Sequence, residues 1–458
     1  MKSAGCAEFR RTLQHPDRRS FVKAGVLGSM GLTLGDLYRH EARALSVPTG
    51  PSRVNSVIIL WMRGGPSHID MWDPKPDAPV EIRGEFGTKS TSVPGITLSD
   101  MLPLSGRMMH KWSIIRSLHH QDAGHSTGDQ ICFTGYNAGP RPDENFRPSC
   151  GSIVSKQFGH LSRELPAYVM IPRMVPGTGP SYLGVSHKPF ETQADPAQPG
   201  PFRIPNFSCP DGVTMERVGD RKGLLKSFDA LRRDVDSTGQ MDAADRYQQK
   251  AWDVLTSPLA RDAFDLDKEP QAVRERYGFG SEFDPKDPTR CGCPAWSQRI
   301  LLARRLVEAG VRLVTVDLRW WDTHVKGFES LRLGFLDRWD QAYTALIDDL
   351  DARGLLETTM VLAWGEFGRT PKVNNNAGRD HYPNAFSAAL AGGGIKGGTV
   401  VGATDQKGAF PKSDPKEPQD VLATIYRHLG VNTQAEYMNN GRPIPTLPFG
   451  TPIDELFG

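Results

Sequence analysis

The sequence predicts an α/β protein with a mostly parallel central sheet and helices on both of its faces. Apolar runs of strand length recur along the chain, and segments with helical periodicity lie between them. Strands that are covered on both faces are apolar along their whole length, and strands that alternate with helices build parallel sheets. The predicted strands are 56–62, 112–118, 167–172, 311–318 and 359–364, and the predicted helices are 126–134, 152–158, 297–309 and 328–352.

The composition is that of a globular chain without a strong charge bias. Of its 458 residues, 38% are hydrophobic and 24% are charged, which argues against global disorder. The net charge of +2 comes from the N-terminus: residues 1–44 hold eight basic and four acidic residues, which leaves 47 basic and 49 acidic residues in the rest. A nearly neutral chain gives no electrostatic reason to expect nucleic acid as a partner.

The N-terminal segment has the features of a twin-arginine export signal. The Arg18-Arg19 pair precedes a weakly apolar, glycine-rich run at 24–32, and a small-x-small cleavage motif lies at 42–44. We predict a signal peptide at 1–44, the twin-arginine export machinery as a partner, and a periplasmic or extracellular location. A short amphipathic surface helix is the alternative interpretation. No apolar run reaches the roughly 20 residues that span a bilayer, so we expect no stable membrane span in the mature form.

The middle of the chain differs from the rest. Residues 185–295 are rich in proline, glycine and charge, and they contain one polar helical stretch near 222–255. We predict that they form a cap inserted into a single domain at 45–458.

Ionisable side chains follow the predicted strands. Asp322 and His324 come after the fourth predicted strand, Glu366 comes after the fifth, and His381 shortly precedes another apolar run. Ligands of open α/β sheets bind at the carboxyl ends of strands, where histidines and carboxylates commonly form metal sites. We predict that these four residues bind a divalent metal ion. Mixed carboxylate and imidazole ligands favour Zn, Mn or Fe over Mg or Ca. Asp380 is a candidate for the carboxylate that orients His381.

Each of these signals also has a second interpretation. Asp322 and His324 could form a capped turn with a surface histidine. Glu366 could form an ion pair with Arg369, with or without binding a metal. Their shared placement at strand ends is what favours a common site.

The N-terminus of the first predicted helix is a candidate catalytic or anion-binding site. His125 and Ser126 lie at the start of 126–134, where free N–H groups and the helix dipole suit a nucleophile or a bound anion. Plain N-capping by Ser126 is the alternative interpretation. His119 and His120 bring the count to three histidines within seven residues, which favours a functional site.

The glycine-rich segment at 392–398 superficially resembles a phosphate-binding loop. It lacks the Lys-Ser/Thr ending of such loops and lies between two short predicted strands. We therefore predict a hairpin with tight turns in this segment.

Several motifs in the chain resemble the bacterial domain of unknown function 1501 family. They are the segments 64–70, 73–76, 83–86, 321–324, 365–371 and 378–381, with the sequences GGPSHID, DPKP, RGEF, WDTH, GEFGRTP and GRDH. The resemblance runs from about residue 46 to the C-terminus. It implies the fold of the alkaline phosphatase and sulfatase superfamily, in which metals lie at the carboxyl edge of a parallel sheet, and it implies little about activity.

The resemblance also implies roles for individual residues. Asp322 and His324 are similar to the first metal-site Asp and His of the superfamily, and His381 is similar to its final metal-binding His. His125 falls where the sulfatases have their nucleophile, with Ser126 adjacent.

The chain departs from the superfamily at other positions. Glu366 and Phe367 stand where the superfamily has Asp-His, and Arg63 stands where the first strand normally ends in a metal-binding Asp. The Cys-x-Pro-Ser-Arg motif is missing, which excludes formylglycine chemistry. We therefore expect one metal site, and a second only if His68, Asp70 or His125 supplies the missing ligands.

These observations predict an exported, sulfatase-like, metal-dependent hydrolase of phosphate or sulfate esters, with a small-molecule or glycan ester as substrate. Ser126 or a water molecule would attack the ester, and His125 and Arg369 would complete the catalytic residues. One alternative is a non-catalytic, degenerate superfamily member that binds a polyanion such as a sulfated glycan. Another is a structural cell-surface protein, which would have neither a metal nor a polar pocket.

Overall fold

The computed structural model describes residues 54–162, 164–196, 202–204, 253–254, 256–279 and 296–458. The predicted signal peptide and most of the predicted insertion, including nearly all of the helical stretch near 222–255, lie outside the described residues. Both stay predictions. None of the helices within the described ranges has the length and hydrophobicity that crossing a membrane requires.

Within the described residues, eight strands form the central sheet. They are β1 Ser56–Trp61, β2 Trp112–Leu118, β3 Tyr168–Ile171, β4 Phe190–Glu191, β5 Leu313–Asp317, β6 Thr359–Trp364, β7 Phe386–Ala391 and β8 Val400–Val401. Their order is β8-β2-β7-β6-β1-β5-β3-β4, and every neighbouring pair is parallel except the two pairs that β7 makes. The mostly parallel sheet predicted from the sequence is therefore confirmed, and all five predicted strands are present.

Helices of the described ranges cover both faces of this sheet. They are α1 His68–Met71, α2 Val80–Arg83, α3 Pro103–Arg107, α4 His125–Thr134, α5 Cys150–Phe158, α6 Pro258–Phe264, α7 Gln271–Tyr277, α8 Ser297–Ala309, α9 Gly327–Ser330, α10 Leu336–Ala352 and α11 Pro418–Leu429. A π-helical turn at Leu331–Phe335 joins α9 to α10, so the helix predicted at 328–352 is interrupted.

Short two-stranded ribbons outside the sheet pair Thr88–Ser90 with Thr97–Ser99, Gly368–Arg369 with His381–Tyr382, Ala403–Thr404 with Pro411–Ser413, and Glu436–Asn439 with Arg442–Pro445. Short 3₁₀ turns lie at Met109–Lys111, Ser181–Leu183, Val185–His187, Leu266–Lys268 and Asp454–Leu456.

Alternate residues of each central strand pack on opposite faces. Ile58 and Leu60 of β1 belong to the cluster that includes α8 and α10, whereas Val57 and Ile59 belong to the cluster that includes α4, α5 and α11. Successive side chains of a strand point to opposite faces, so a strand between two helical layers must be apolar throughout. This requirement explains why the continuous apolar runs identified the strands.

The described parts of the predicted insertion pack on the main sheet and its helices. β4 extends the sheet beside β3. α6 and α7 pack against α8, where the buried Arg304 lies 2.7 Å from Glu269 and 2.8 Å from Asp349. The boundaries of the insertion stay a prediction.

The prediction of a hairpin at 392–398 is wrong. β7 and β8 lie on opposite sides of β2, so the segment passes around the start of β2 and does not turn back on itself. Gly397 permits this path, because a Cβ atom there would collide with the backbone of His110. Strand order depends on distant pairing, which a glycine pattern does not report.

The carboxyl ends of the central parallel strands are aligned. Trp61 of β1 pairs with Asp317 of β5 and with Trp364 of β6. β2 runs in the same direction as β6, since both are antiparallel to β7, and β7 begins at this edge. The loops that follow β1, β2, β5 and β6, and the segment before β7, therefore meet at one edge of the sheet.

A buried ion pair fixes the segment that precedes His381. The Arg379 guanidinium donates two hydrogen bonds to the Asp70 carboxylate, at 2.7 and 2.9 Å, and each of these residues is only 2% exposed. Arg379 also donates to the backbone carbonyls of Ile82 at 2.8 Å and Thr370 at 3.1 Å. The two-pronged geometry fixes both position and orientation of the segment.

We expect Asp70→Asn to destabilise the protein by about 3–5 kcal/mol, because removal of one partner leaves the buried Arg379 charge unpaired. Denaturant unfolding measures this loss. Glu85→Gln is the matched control, since Glu85 pairs with Arg332 at 3.0 Å where both side chains are about half exposed. Exposed pairs contribute about 0–1 kcal/mol. Equal losses in the two variants would contradict the role given to Asp70.

Candidate metal centre

Asp322 lies at the centre of a cluster of histidines at this edge of the sheet. Its Oδ1 atom lies 3.0 Å from His324 Nε2 and 3.2 Å from His381 Nε2, and these two nitrogens are 3.0 Å apart. Its Oδ2 atom lies 3.4 Å from His125 Nε2. The structure thus brings Asp322, His324 and His381 of the predicted metal set together, and it adds His125.

The opposite ring nitrogens of His324 and His381 face hydrogen-bond acceptors. His324 Nδ1 lies 2.8 Å from Asp380 Oδ1, and His381 Nδ1 lies 2.7 Å from the carbonyl oxygen of Ala123. These oxygens accept hydrogen bonds, so in each neutral ring Nδ1 carries the hydrogen and Nε2 keeps its lone pair. In this neutral form both Nε2 lone pairs face Asp322 and are free to bind a metal, whereas a ring that also carries a hydrogen on Nε2 donates it to the Asp322 carboxylate. Asp380 was expected to orient its neighbour His381, but it orients His324 instead.

Glu366 is fully buried and contacts His125. Its Oε1 atom lies 2.6 Å from His125 Nδ1, and the Gly64 N–H donates to Oε1 at 2.8 Å and to Oε2 at 3.1 Å. Gly64 has a φ of 110°, and a Cβ atom there would lie 2.5 Å from the Trp321 nitrogen. Only glycine lets the loop after β1 come this close. The Glu366 carboxylate thus fixes the ring whose Nε2 faces Asp322.

Arg369 is fully buried beside Asp322. Its Nε donates to the Gly65 carbonyl at 2.9 Å, and its Nη2 donates to Asp322 Oδ1 at 2.5 Å and to the Gly64 carbonyl. Its Nη1 donates to a further backbone carbonyl at 3.2 Å and lies 3.4 Å from His324 Nε2. Every guanidinium nitrogen therefore has an acceptor within the protein, and the positive charge balances Asp322.

The cluster favours an ionised Asp322. Burial alone would raise the pKa of this carboxyl, but hydrogen bonds from His125, His324 and His381 outweigh burial and hold the pKa well below its usual range. Burial would lower the pKa of His125, but its hydrogen bonds to Asp322 and Glu366 prevail and raise the pKa to about 9. In the absence of a cation, the cluster therefore retains protons at neutral pH.

Ser126 and His120 do not join this cluster. α4 begins one residue earlier than predicted, with Gly124 as the N-cap residue and no side-chain capping bond. The Ser126 hydroxyl donates to Asp143 Oδ1 at 2.6 Å, so capping is not its role. His120 Nε2 lies 2.5 Å from the backbone carbonyl of Glu366, and burial lowers the pKa of this histidine.

Asp129, a buried carboxylate near Glu366, was not predicted from the sequence as part of the site. Asp129 accepts hydrogen bonds from Arg63 Nε at 2.8 Å and from Trp61 Nε1 at 3.1 Å. Burial and the nearby Glu366 raise the pKa of Asp129. Asp129 follows His125 by four residues, and this spacing on one helix face is the signal that could have found it.

We expect the metal-free protein to lose stability as the pH rises from about 6.5 to about 9. An unperturbed histidine has a pKa of about 6.5. The pKa of His125 in the fold is about 9, so the folded state binds this proton more tightly. The resulting stabilisation is complete below about pH 6.5 and disappears as the pH rises through the folded value. Melting temperatures of chelator-treated protein across this range measure the effect, and His125→Gln should flatten the curve. An unchanged slope in that variant would assign the effect to other groups.

Comparisons with known proteins agree with the resemblance seen in the sequence. The family described as "Protein of unknown function (DUF1501)" matches residues 54–457. No curated protein gives a significant match.

Solved structures similar to the chain share little sequence identity with it and superimpose only in part. Ps i-CgsB in complex with k-i-k-neocarrahexaose is 9% identical, with 83% of this chain and 73% of that chain covered and a TM-score of 0.36. The phosphonate monoester hydrolase SpPMH from Silicibacter pomeroyi is 12% identical, with 84% and 74% covered and a TM-score of 0.34. The lipoteichoic acid synthase LtaP from Listeria monocytogenes is 8% identical, with 89% and 76% covered and a TM-score of 0.34. Because the family match extends over nearly all of the described residues, the chain belongs to the DUF1501 family of proteins of unknown function.

Proposed function

We propose that this protein is a metal-dependent hydrolase of phosphate or sulfate esters, with Asp322, His324 and His381 among its metal ligands. The observation that carries the proposal is the triangle formed by Asp322 Oδ1 and the two Nε2 atoms, with sides of 3.0, 3.0 and 3.2 Å. Ligands about 2.0 Å from a tetrahedral ion lie about 3.3 Å from one another. The triangle therefore has the size that a bound ion requires.

The chemistry of the three atoms supports the same conclusion. A carboxylate oxygen and two imidazole lone pairs point at one another, and atoms of this kind attract a cation or protons. The mixed nitrogen and oxygen set suits Zn, Mn or Fe better than Mg or Ca. A divalent ion held there would supply Lewis acidity toward the ester oxygens.

Other residues of the cluster act by holding the ligands. Asp380 fixes the tautomer and orientation of His324, and the Ala123 carbonyl does the same for His381. Arg369 holds the Asp322 carboxylate and supplies positive charge. Because each of its nitrogens already has a protein acceptor, its contribution to the reaction is charge and positioning.

Ser126, which lies outside the cluster, is the proposed nucleophile for an ester that reaches from the metal to its hydroxyl, and Asp143 is then its base. The hydroxyl already donates to Asp143 at 2.6 Å, which is the geometry of a nucleophile and its proton acceptor. Attack forms a bond from Ser126 Oγ to the phosphorus or sulfur and breaks the bond to the leaving oxygen. The hydroxyl proton passes to Asp143, the leaving oxygen takes a proton from solvent, and water later cleaves the covalent intermediate. Direct attack by water is the alternative.

A second candidate function is non-catalytic binding of a polyanion such as a sulfated glycan. The observation that favours it is that the Ser126 hydroxyl and the Arg369 guanidinium are both engaged by protein acceptors. Metal binding without turnover of any ester would favour this candidate.

Elemental analysis of the purified protein, followed by a panel of phosphate and sulfate esters, tests the proposed function. We expect stoichiometric divalent metal and an ester hydrolysis that chelation abolishes and metal restores. Asp322→Asn should lose metal and activity together, because it removes the charge that the ligands share. Asp351→Asn is the control, since this half-exposed carboxylate bonds only to Lys111 among the contacts in the described ranges. A wild-type protein that binds no metal would contradict the proposal.

The nucleophile is tested by Ser126→Ala. We expect kcat to fall about 100-fold or more with metal content unchanged, because the variant loses the attacking hydroxyl and its proton transfer. Ser413→Ala, at an exposed serine of a surface ribbon, is the control. Full activity of Ser126→Ala would identify water as the attacking group.

A further inference from the structure

We infer that His125 is the fourth protein ligand of the metal centre, and that Glu366 holds His125 in place without touching the ion. The inference rests on the metal site of the proposed function, but it does not depend on ester hydrolysis. It transfers the ligand role predicted for Glu366 to His125, which the sequence placed among the catalytic residues.

The position of Glu366 argues against direct metal binding. Both of its carboxylate oxygens accept from the Gly64 N–H, and Oε1 also lies 2.6 Å from His125 Nδ1. The His125 ring therefore stands between Glu366 and Asp322, with one ring nitrogen facing each carboxylate. While these bonds hold, the Glu366 oxygens stay a full imidazole ring away from the Asp322 carboxylate.

The position of His125 fits a ligand. Its Nε2 lies 3.4 Å from Asp322 Oδ2, the second oxygen of the carboxylate that supplies Oδ1 to the triangle. One ligand atom each from His125, Asp322 and His381 lie within 4.8 Å of one another. The rings of His125 and His381 are 4.3 Å apart between centroids. With His324 on its other carboxylate oxygen, Asp322 is thus surrounded by three imidazoles.

The surroundings of His125 restrict it to this orientation. A carboxylate that accepts from Nδ1–H fixes the tautomer of a metal-binding histidine and makes Nε2 more basic. Glu366 has this relation to His125, and the Gly64 N–H in turn fixes Glu366. The rings of Phe367 and Trp320 lie 5.3 and 5.5 Å from the His125 ring between centroids and limit its rotation.

The two other residues that the sequence offered as additional ligands form their hydrogen bonds outside the cluster. His68 Nε2 lies 2.8 Å from the Gly408 carbonyl, and Asp70 forms the buried ion pair with Arg379. Of the three candidates, His125 alone faces the cluster.

X-ray absorption spectroscopy of the zinc-loaded full chain tests this assignment, because it counts imidazole ligands. We expect three imidazoles in the wild type and two in His125→Ala. Glu366→Gln should keep three imidazoles while zinc affinity falls about 10- to 100-fold, as for partners that orient a ligand. His110→Ala is the control. His110 comes just before β2, at the opposite edge of the sheet, and its ring is hydrogen-bonded to Ser92. The number of imidazole ligands in this variant should stay at three.

Two results would overturn the inference. The first is a wild-type zinc site with two imidazole ligands and the same number in His125→Ala. This result would return the ligand role to Glu366 without contradicting the proposed hydrolase function. A wild type that binds no zinc and no other divalent ion would overturn both. Three imidazoles in a protein that hydrolyses no ester would support the ligand assignment and contradict only the hydrolase. The wild-type count decides the matter even if His125→Ala does not fold.

Discussion

The ionised Asp322 carboxylate is the group on which the site depends. It lies beyond β5 with its two oxygens facing different partners: Oδ1 faces His324, His381 and Arg369, whereas Oδ2 faces His125. A buried or half-buried charge is costly unless hydrogen bonds and opposite charge surround it. The Asp322 carboxylate therefore links the loops that carry these partners.

The sheet makes this convergence possible, and that part could be predicted from the sequence. The apolar runs locate the strands, and parallel strands bring the residues that follow them to one edge. Asp322 and Glu366 were placed at this edge for that reason. The apolar runs do not report strand order. For this reason a hairpin was predicted at 392–398, whereas the segment passes around β2.

The contacts within the edge depend on loop geometry and could not be predicted. Asp380 and His381 are neighbours in the chain, yet neighbours in extended backbone point in opposite directions, and Asp380 reaches His324 of another loop. Glu366 was expected beside the metal. The loop after β1 offers it the Gly64 N–H instead, through a backbone conformation that no apolar or polar pattern reports.

The charges of the cluster connect proton binding with metal binding. Asp322, Glu366 and Asp380 all act electrostatically on the Arg369 guanidinium, so these three carboxylates outnumber its one positive charge. Without a metal, hydrogen bonds to Asp322 and Glu366 raise the pKa of His125 to about 9, and those to Asp322 and Asp380 raise the pKa of His324, so both rings hold a proton more tightly. A divalent ion would satisfy the same carboxylate and the same Nε2 lone pairs, and it would have to displace those protons. Metal affinity at this site should therefore increase with pH, because ligands must be deprotonated to bind.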